Sequence, residues 1–141
     1  MFAQIDIKHY EEEFKKDIEE RVFVELGKKF EESKFDEMAD LLGDNAVLTT
    51  PQGKRLKGKG NLSKFWKKEK EEIGVTDVKF NLKYHYVTEV ADPIEQGEDT
   101  IDAVGHAIID YHLISPKEGG TTNKTGTLTL SERHPRRCVW R

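Results

Sequence analysis

The feature that most restricts this chain is a change of hydrophobic period at Gly74. Before it, large apolar residues recur every three or four positions, the repeat of helices that bury one stripe. After it, apolar and polar residues alternate, the repeat of strands that bury one face. The chain therefore has a helical part, then a part made of long strands.

From about Asp6 to Glu32, Tyr10, Phe14, Ile18, Val22, Leu26 and Phe30 stand four residues apart. Four is slightly more than one turn, so the stripe drifts round the helix and can follow a curved sheet. Glu11 with Lys15, Glu12 with Lys16 and Asp17 with Arg21 are i,i+4 pairs on the solvent side, each contributing about 0.2–0.5 kcal/mol. A second helix buries Phe35, Met38, Ala39 and Leu42 and ends at Gly43, where a residue without a Cβ can take a left-handed C-cap. Ser33, three residues before Asp36, predicts a capping box at its start.

Ala46, Val47 and Leu48 then read as a short strand that breaks at Pro51, which has no amide hydrogen for a ladder. A turn follows at Gln52 and Gly53, and Gly60 and Asn61 open a third helix with Leu62, Phe65, Trp66 and Ile73 buried. Lys54, Arg55, Lys57, Lys59, Lys64, Lys67, Lys68 and Lys70 make this the most basic part of the chain. It faces an anionic ligand or an acidic partner, or it is balanced locally by Glu69, Glu71 and Glu72.

Beyond Gly74, one long strand is predicted to put Val78, Phe80, Leu82, Tyr84 and Tyr86 on one face, and Lys79, Asn81, Lys83, His85 and Glu89 on the other. A polar connection covers Pro93 to Glu98. From about Thr100 to Ser115 a second strand alternates Ala103, Gly105, Ala107, Ile109, Tyr111 and Leu113 with Asp102, Val104, His106, Ile108, Asp110 and His112. The first set is the more apolar and faces the helices, and its small members leave room for a helix to approach or for a cavity. After a turn at Pro116 to Thr122, Lys124 to Glu132 form a third strand with Leu128 and Leu130 opposite Thr127 and Thr129. A turn at Arg133 to Pro135 and a closing strand from Arg136 to Arg141 complete the reading, with Cys138 and Trp140 on one face.

The length of 141 residues suits one domain. A net charge of −4 gives no electrostatic footprint for nucleic acid. A single cysteine, Cys138, excludes an internal disulfide and a cysteine-rich metal site. No apolar run approaches the ~18 residues of a membrane span, and Met1 to Lys8 lack the features of a secretory signal, so a cytoplasmic protein is expected. There is no glycine-rich phosphate loop, zinc-finger spacing or nucleophile elbow, and no cofactor is expected.

The stretch from Phe35 to Trp66 carries an acidic residue entering a short helix, then Gly43-Asp44-Asn45-Ala46, an apolar strand, Pro51-Gln52-Gly53, and a glycine before a helix with the pair Phe65 and Trp66. In that order it resembles the cone-shaped α+β family of nuclear transport factor 2, ketosteroid isomerase and the SnoaL-like polyketide cyclases. The resemblance implies one domain over residues 1–141, with three helices from its first half on the concave face of a curved, mostly antiparallel sheet, and a pocket at the open end.

In ketosteroid isomerases a catalytic aspartate precedes the proline of the Pro-x-Gly turn. Here that position is Thr50, whose hydroxyl is no general base near neutral pH. The position of the family's oxyanion-binding tyrosine falls on Leu26, which has no donor. The resemblance thus implies a cone without the isomerase base, binding a small apolar ligand and dimerising with itself through the outer sheet face. Thr50, Trp66, Tyr84, Tyr86 and Tyr111 are the expected ligand contacts. Two alternatives stay open. One is a lyase, isomerase or cyclase acting on an apolar ring through Tyr84, Tyr111 or the His106 and Asp110 pair, and the other is an oligomerisation or protein-binding module. His106, Asp110 and His112 share a strand face, as a His-Asp pair, part of a metal site or a polar ladder at an interface. His9, His85 and His134 read as surface residues, and Cys138 as a small apolar residue.

Overall fold

The computed structural model describes residues 7–91, 100–117 and 120–137. It begins with a helical rod of α1 (Ile7–Asp17), a π-helical turn (Ile18–Val22) and α2 (Phe23–Glu31). Helix α3 (Phe35–Leu42) follows, then strands β1 (Val47–Thr49) and β2 (Arg55–Lys57). Helix α4 (Lys59–Lys68) runs into a second π-helical segment, Glu69–Ile73. Three long strands complete the chain: β3 (Asp77–Ala91), β4 (Thr100–Lys117) and β5 (Gly120–Arg137). They make one antiparallel sheet in the order β2-β1-β5-β4-β3. The three helical rods of the first half pack on one face of it, in an α+β arrangement with the helices before the long strands. Among the described residues, no helix is long and apolar enough to cross a membrane.

The first π turn explains how a four-residue stripe stays buried. In an α-helix each i+4 step overshoots a full turn by roughly 40°, so six such residues spread over more than half the circumference. A π turn bonds i to i+5 and holds more residues, which winds the stripe back. The Phe23 amide donates to the Ile18 carbonyl there. Tyr10, Phe14, Ile18, Val22, Leu26 and Phe30 are all buried in consequence.

Glycines set two close approaches. At Gly105 a Cβ would stand 2.7 Å from the Phe14 ring, so the helix approach expected over the small residues of β4 is present. At Gly126 it would stand 2.1 Å from the Tyr111 hydroxyl. The inner face is completed by Ala107, Ile109, Tyr111 and Leu113 on β4, buried as predicted, and by Leu128 and Leu130 on β5, which share one face and are buried too.

Five expectations are corrected. On β3, Leu82 lies opposite Ile109 and Tyr84 opposite Ile108. Lys83 is therefore an extra residue in a bulge, which reverses the side-chain parity beyond it. Tyr84 and Tyr86 pass to the outer face, 56% and 38% exposed, and Val87 comes inside, opposite Gly105. Ile73 is 48% exposed, because the wider turn of the second π segment carries it off the buried stripe on which Glu69 lies. Ser33 does not cap α3: the residue before that helix is Lys34, with no side-chain cap. Ser33 has φ +61° and its hydroxyl accepts from the Lys70 ammonium at 2.9 Å. Finally, no turn interrupts Arg133 to Pro135. β5 continues through Arg137, paired with Thr100, and Pro135 is tolerated because β1 flanks β5 only at Thr127, Leu128 and Thr129. The β4–β5 connection is also shorter than Pro116 to Thr122, since Lys117 pairs with Gly120. Cys138, Trp140 and the stretch from Pro93 to Glu98 lie outside the described residues.

Candidate functional site

At the end of the sheet where β1 and β2 meet α4, the surface opens into a cleft of about 450 Å³. Its apolar wall is Leu56, Phe65 and Ile73, and its uncharged polar groups are Thr50, Gln52 and Asn61. Four lysines border it, Lys54, Lys64, Lys68 and Lys124, with one carboxylate, Glu69.

The local sequence explains how each wall is held. Thr50 and Lys54 close the β1–β2 hairpin: the Thr50 amide donates to the Lys54 carbonyl at 2.7 Å, and the Lys54 amide donates to Thr50 Oγ1 at 3.0 Å. The Thr50 hydroxyl oxygen is thus used by the turn, while its hydrogen is left to donate. Asn61 is fixed by its side-chain amide, which donates to the Lys57 carbonyl at 2.9 Å. Phe65 meets Trp66 and Tyr111 edge-on, with ring centroids 5.1 and 5.9 Å away, so the rear of the cleft is the core itself.

Glu69 is the residue that sequence reasoning missed. It is the one buried charged residue among those described, and Lys124 on β5 donates to its Oε2 at 3.1 Å. Its carbonyl also accepts from the Val75 amide, which closes the π segment. A signal was present: Glu69 stands seven residues after Leu62 and three after Trp66, on the buried stripe of the helix. A carboxylate on such a stripe needs a partner, because an uncompensated buried charge is costly.

Of the five expected ligand contacts, only Thr50 borders this cleft. Trp66 and Tyr111 are fully buried among aromatic rings, with centroids 5.5 Å apart and with Phe30, Phe65 and Phe80 around the indole. The Tyr111 hydroxyl donates to the Thr49 carbonyl at 2.7 Å and so ties β4 to β1. Burial, and to a lesser extent the charge of Glu69, push the Tyr111 phenol above the usual tyrosine range. That favours the neutral donor over a phenolate. The rings that were to line a hollow fill it instead.

Tyr84 and Tyr86 stand on the outer face, where Tyr86 stacks on His106 with centroids 4.5 Å apart. His106 Nδ1 lies 3.1 Å from the Ser131 hydroxyl, and His112 Nδ1 lies 3.2 Å from the Thr125 hydroxyl. Each imidazole thus pairs with a hydroxyl on the neighbouring strand, in the manner of a polar ladder. No three His, Cys, Asp or Glu side chains are grouped to hold a metal ion among the described residues. Leu26, at the position of the isomerase tyrosine, is wholly in the core.

No family model matches this chain. No curated protein does either. Among solved structures it is similar to Aln2 from a Streptomyces species, with 11% identity over 82% of this chain and 84% of that one and a TM-score of 0.37. That likeness says nothing about function; the fold is read from the element order and strand order above.

Proposed function

We propose that this is a cytoplasmic small-molecule-binding protein that takes its ligand in the cleft beside Thr50 and does not perform isomerase chemistry. The observation that carries the reading is the cleft's construction, with an apolar wall of Leu56, Phe65 and Ile73 facing fixed polar groups at Thr50 and Asn61. Its size falls in the range of small-ligand sites. Thr50, where an isomerase has its base, can orient a ligand through its O–H and cannot take a proton near neutral pH. The remaining carboxylate, Glu69, is engaged by Lys124, which favours binding over catalysis. Trp66 and Tyr111 contribute by supporting Phe65 from behind.

The test is a screen of small apolar and amphipathic compounds against the isotope-labelled protein by amide chemical-shift mapping. Shifts centred on Thr50, Leu56 and Phe65 are expected. A screen in which every hit maps elsewhere, or in which there is no hit, removes the reading.

We propose also that the protein self-associates through the outer sheet face. What supports this is the exposure of Tyr84 and Tyr86 there, beside Ile108, a surface that needs a partner more than water does. Sedimentation should show a dimer at micromolar concentration, and a Tyr84→Glu variant should be a monomer; a monomeric parent protein refutes it.

A further inference from the structure

The charge around the cleft is opposite in sign to that of the whole chain, which carries a formal −4. Four ammonium groups border it against one carboxylate, and that carboxylate is already committed to Lys124 at 3.1 Å. Lys54, Lys64 and Lys68 form no ion pair with any described residue. Lys64 and Lys68 stand four apart on α4, the spacing at which like charges repel. Local compensation by Glu69, Glu71 and Glu72 does not reach them: Glu69 turns inward to β5, and neither Glu71 nor Glu72 pairs with a cleft lysine.

The lysines also come from three separate elements. Lys54 is on the β1–β2 turn, Lys64 and Lys68 are on successive turns of α4, and Lys124 is on β5. Cations held on one concave site by different parts of a fold raise the local concentration of anions. Ile73 adds an independent observation. It is a large apolar side chain, 48% exposed, on the cleft wall, and it gains by being covered.

We infer that the ligand of this cleft is an amphipathic anion, with a carboxylate or phosphate head between the lysines and a short apolar body against Ile73, Phe65 and Leu56. The inference rests on the proposed binding role of the cleft and specifies the ligand class. Lys124 can serve both Glu69 and the anion, because an ammonium has three donors and Glu69 Oε2 takes one. Thr50 contributes its hydroxyl hydrogen to the head group. Neither Glu69, neutralised by Lys124, nor any other carboxylate bordering the cleft stands against the anion.

The test uses the whole chain and three probes, octanoate, octanol and inorganic phosphate, followed by calorimetry and amide chemical shifts at low and at physiological salt. Octanoate is expected to bind more tightly than octanol or phosphate, with an advantage that shrinks as salt is added. In the triple variant Lys54→Ala, Lys64→Ala and Lys68→Ala, octanoate should weaken roughly tenfold, as three exposed charge contacts acting together imply, while octanol is unchanged. All three positions are exposed, so the variant keeps its fold, and circular dichroism checks this. Octanol binding the cleft as tightly as octanoate overturns the anionic head and leaves the cleft as a ligand site. Phosphate binding as tightly as octanoate overturns the apolar body. If no probe shifts Thr50, Leu56 or Phe65, the inference and the proposed site fall together.

Discussion

Replacing Gly126 with alanine tests how the cleft is braced to the sheet. An alanine Cβ there would lie 2.1 Å from the Tyr111 hydroxyl, 2.2 Å from its Cζ and 2.6 Å from the Thr49 carbonyl oxygen. The glycine does not have the positive φ that L-residues avoid, so the cost is steric. One of the three neighbours is backbone, and Tyr111 is fully enclosed, so the ring has nowhere to withdraw without displacing others. Overpacking of this kind costs about 1–3 kcal/mol. Loss of the bond from Tyr111 to the Thr49 carbonyl adds about 1 kcal/mol. Gly126→Ala should therefore lose about 2–4 kcal/mol in urea denaturation followed by circular dichroism. Repeating the substitution in a Tyr111→Leu background, which removes the ring end, should recover about half of that cost. Because Thr49 precedes Thr50, the single variant should also weaken any ligand of the cleft. A loss below about 0.5 kcal/mol, or an equal loss in both backgrounds, would refute the steric argument.

Gly105→Ala should cost less, about 1 kcal/mol, because the three atoms nearest its Cβ all belong to the Phe14 ring, and the rod carrying that ring can shift; equal losses at both glycines in the same denaturation assay would contradict this. Lys70 donates to the Phe30 and Glu31 carbonyls, both at 2.7 Å, and to Ser33, so it caps the end of α2. Lys70→Met should cost about 1.5 kcal/mol, and a melting temperature equal to that of the parent protein would dismiss the cap. Tyr111 gives a pH dependence whose sign follows from its raised folded-state value. Above about pH 10 an unfolded tyrosine loses its proton while the folded one keeps it, so stability falls as pH rises, by at most about 1.4 kcal/mol per pH unit. Below that pH the contribution is constant. Tyr111→Phe should flatten the alkaline decline, and parallel curves for the two proteins would count against the burial of the phenol.

Features carried by local period were legible in the sequence. The apolar stripe from Tyr10 to Phe30, the short α3, the break at Pro51 and the inward set of β4 are each set by residues within a few positions of one another. The inaccuracies come from single-residue irregularities and from distant partners. Lys83 reads as an outward lysine in a perfect alternation, and nothing in its neighbours marks it as the extra residue that sends Tyr84 and Tyr86 outside. Ser33 and Asp36 have the spacing of a cap, yet Lys70, far along the chain, claims the Ser33 hydroxyl, and Asp36 accepts from Ser63 at 2.6 Å instead. Trp66 and Tyr111 were recognisable as inward aromatics. Whether such rings line a hollow or fill it depends on distant neighbours: Gly126 on β5 leaves room for the Tyr111 phenol over the sheet, and Phe30, Phe65 and Phe80 close round the Trp66 indole, none of which local sequence states.

The second π segment connects these points to the site. Had α4 continued as an α-helix, Lys67 and Lys68 would stand one turn before Glu71 and Glu72, the spacing of stabilising i,i+4 pairs. The wider turn over Glu69–Ile73 moves those glutamates off that spacing. It also brings Ile73 out onto the cleft wall, while Glu69 keeps its place on the buried stripe and meets Lys124. One local change in helix type thus leaves Lys68 at the cleft border without Glu72 as an i,i+4 partner and supplies an apolar contact. π turns frequently mark functional sites, and for the anion proposed above the consequence is electrostatic: a regular helix of the same composition would set Glu72 one turn from Lys68 at the border of the cleft.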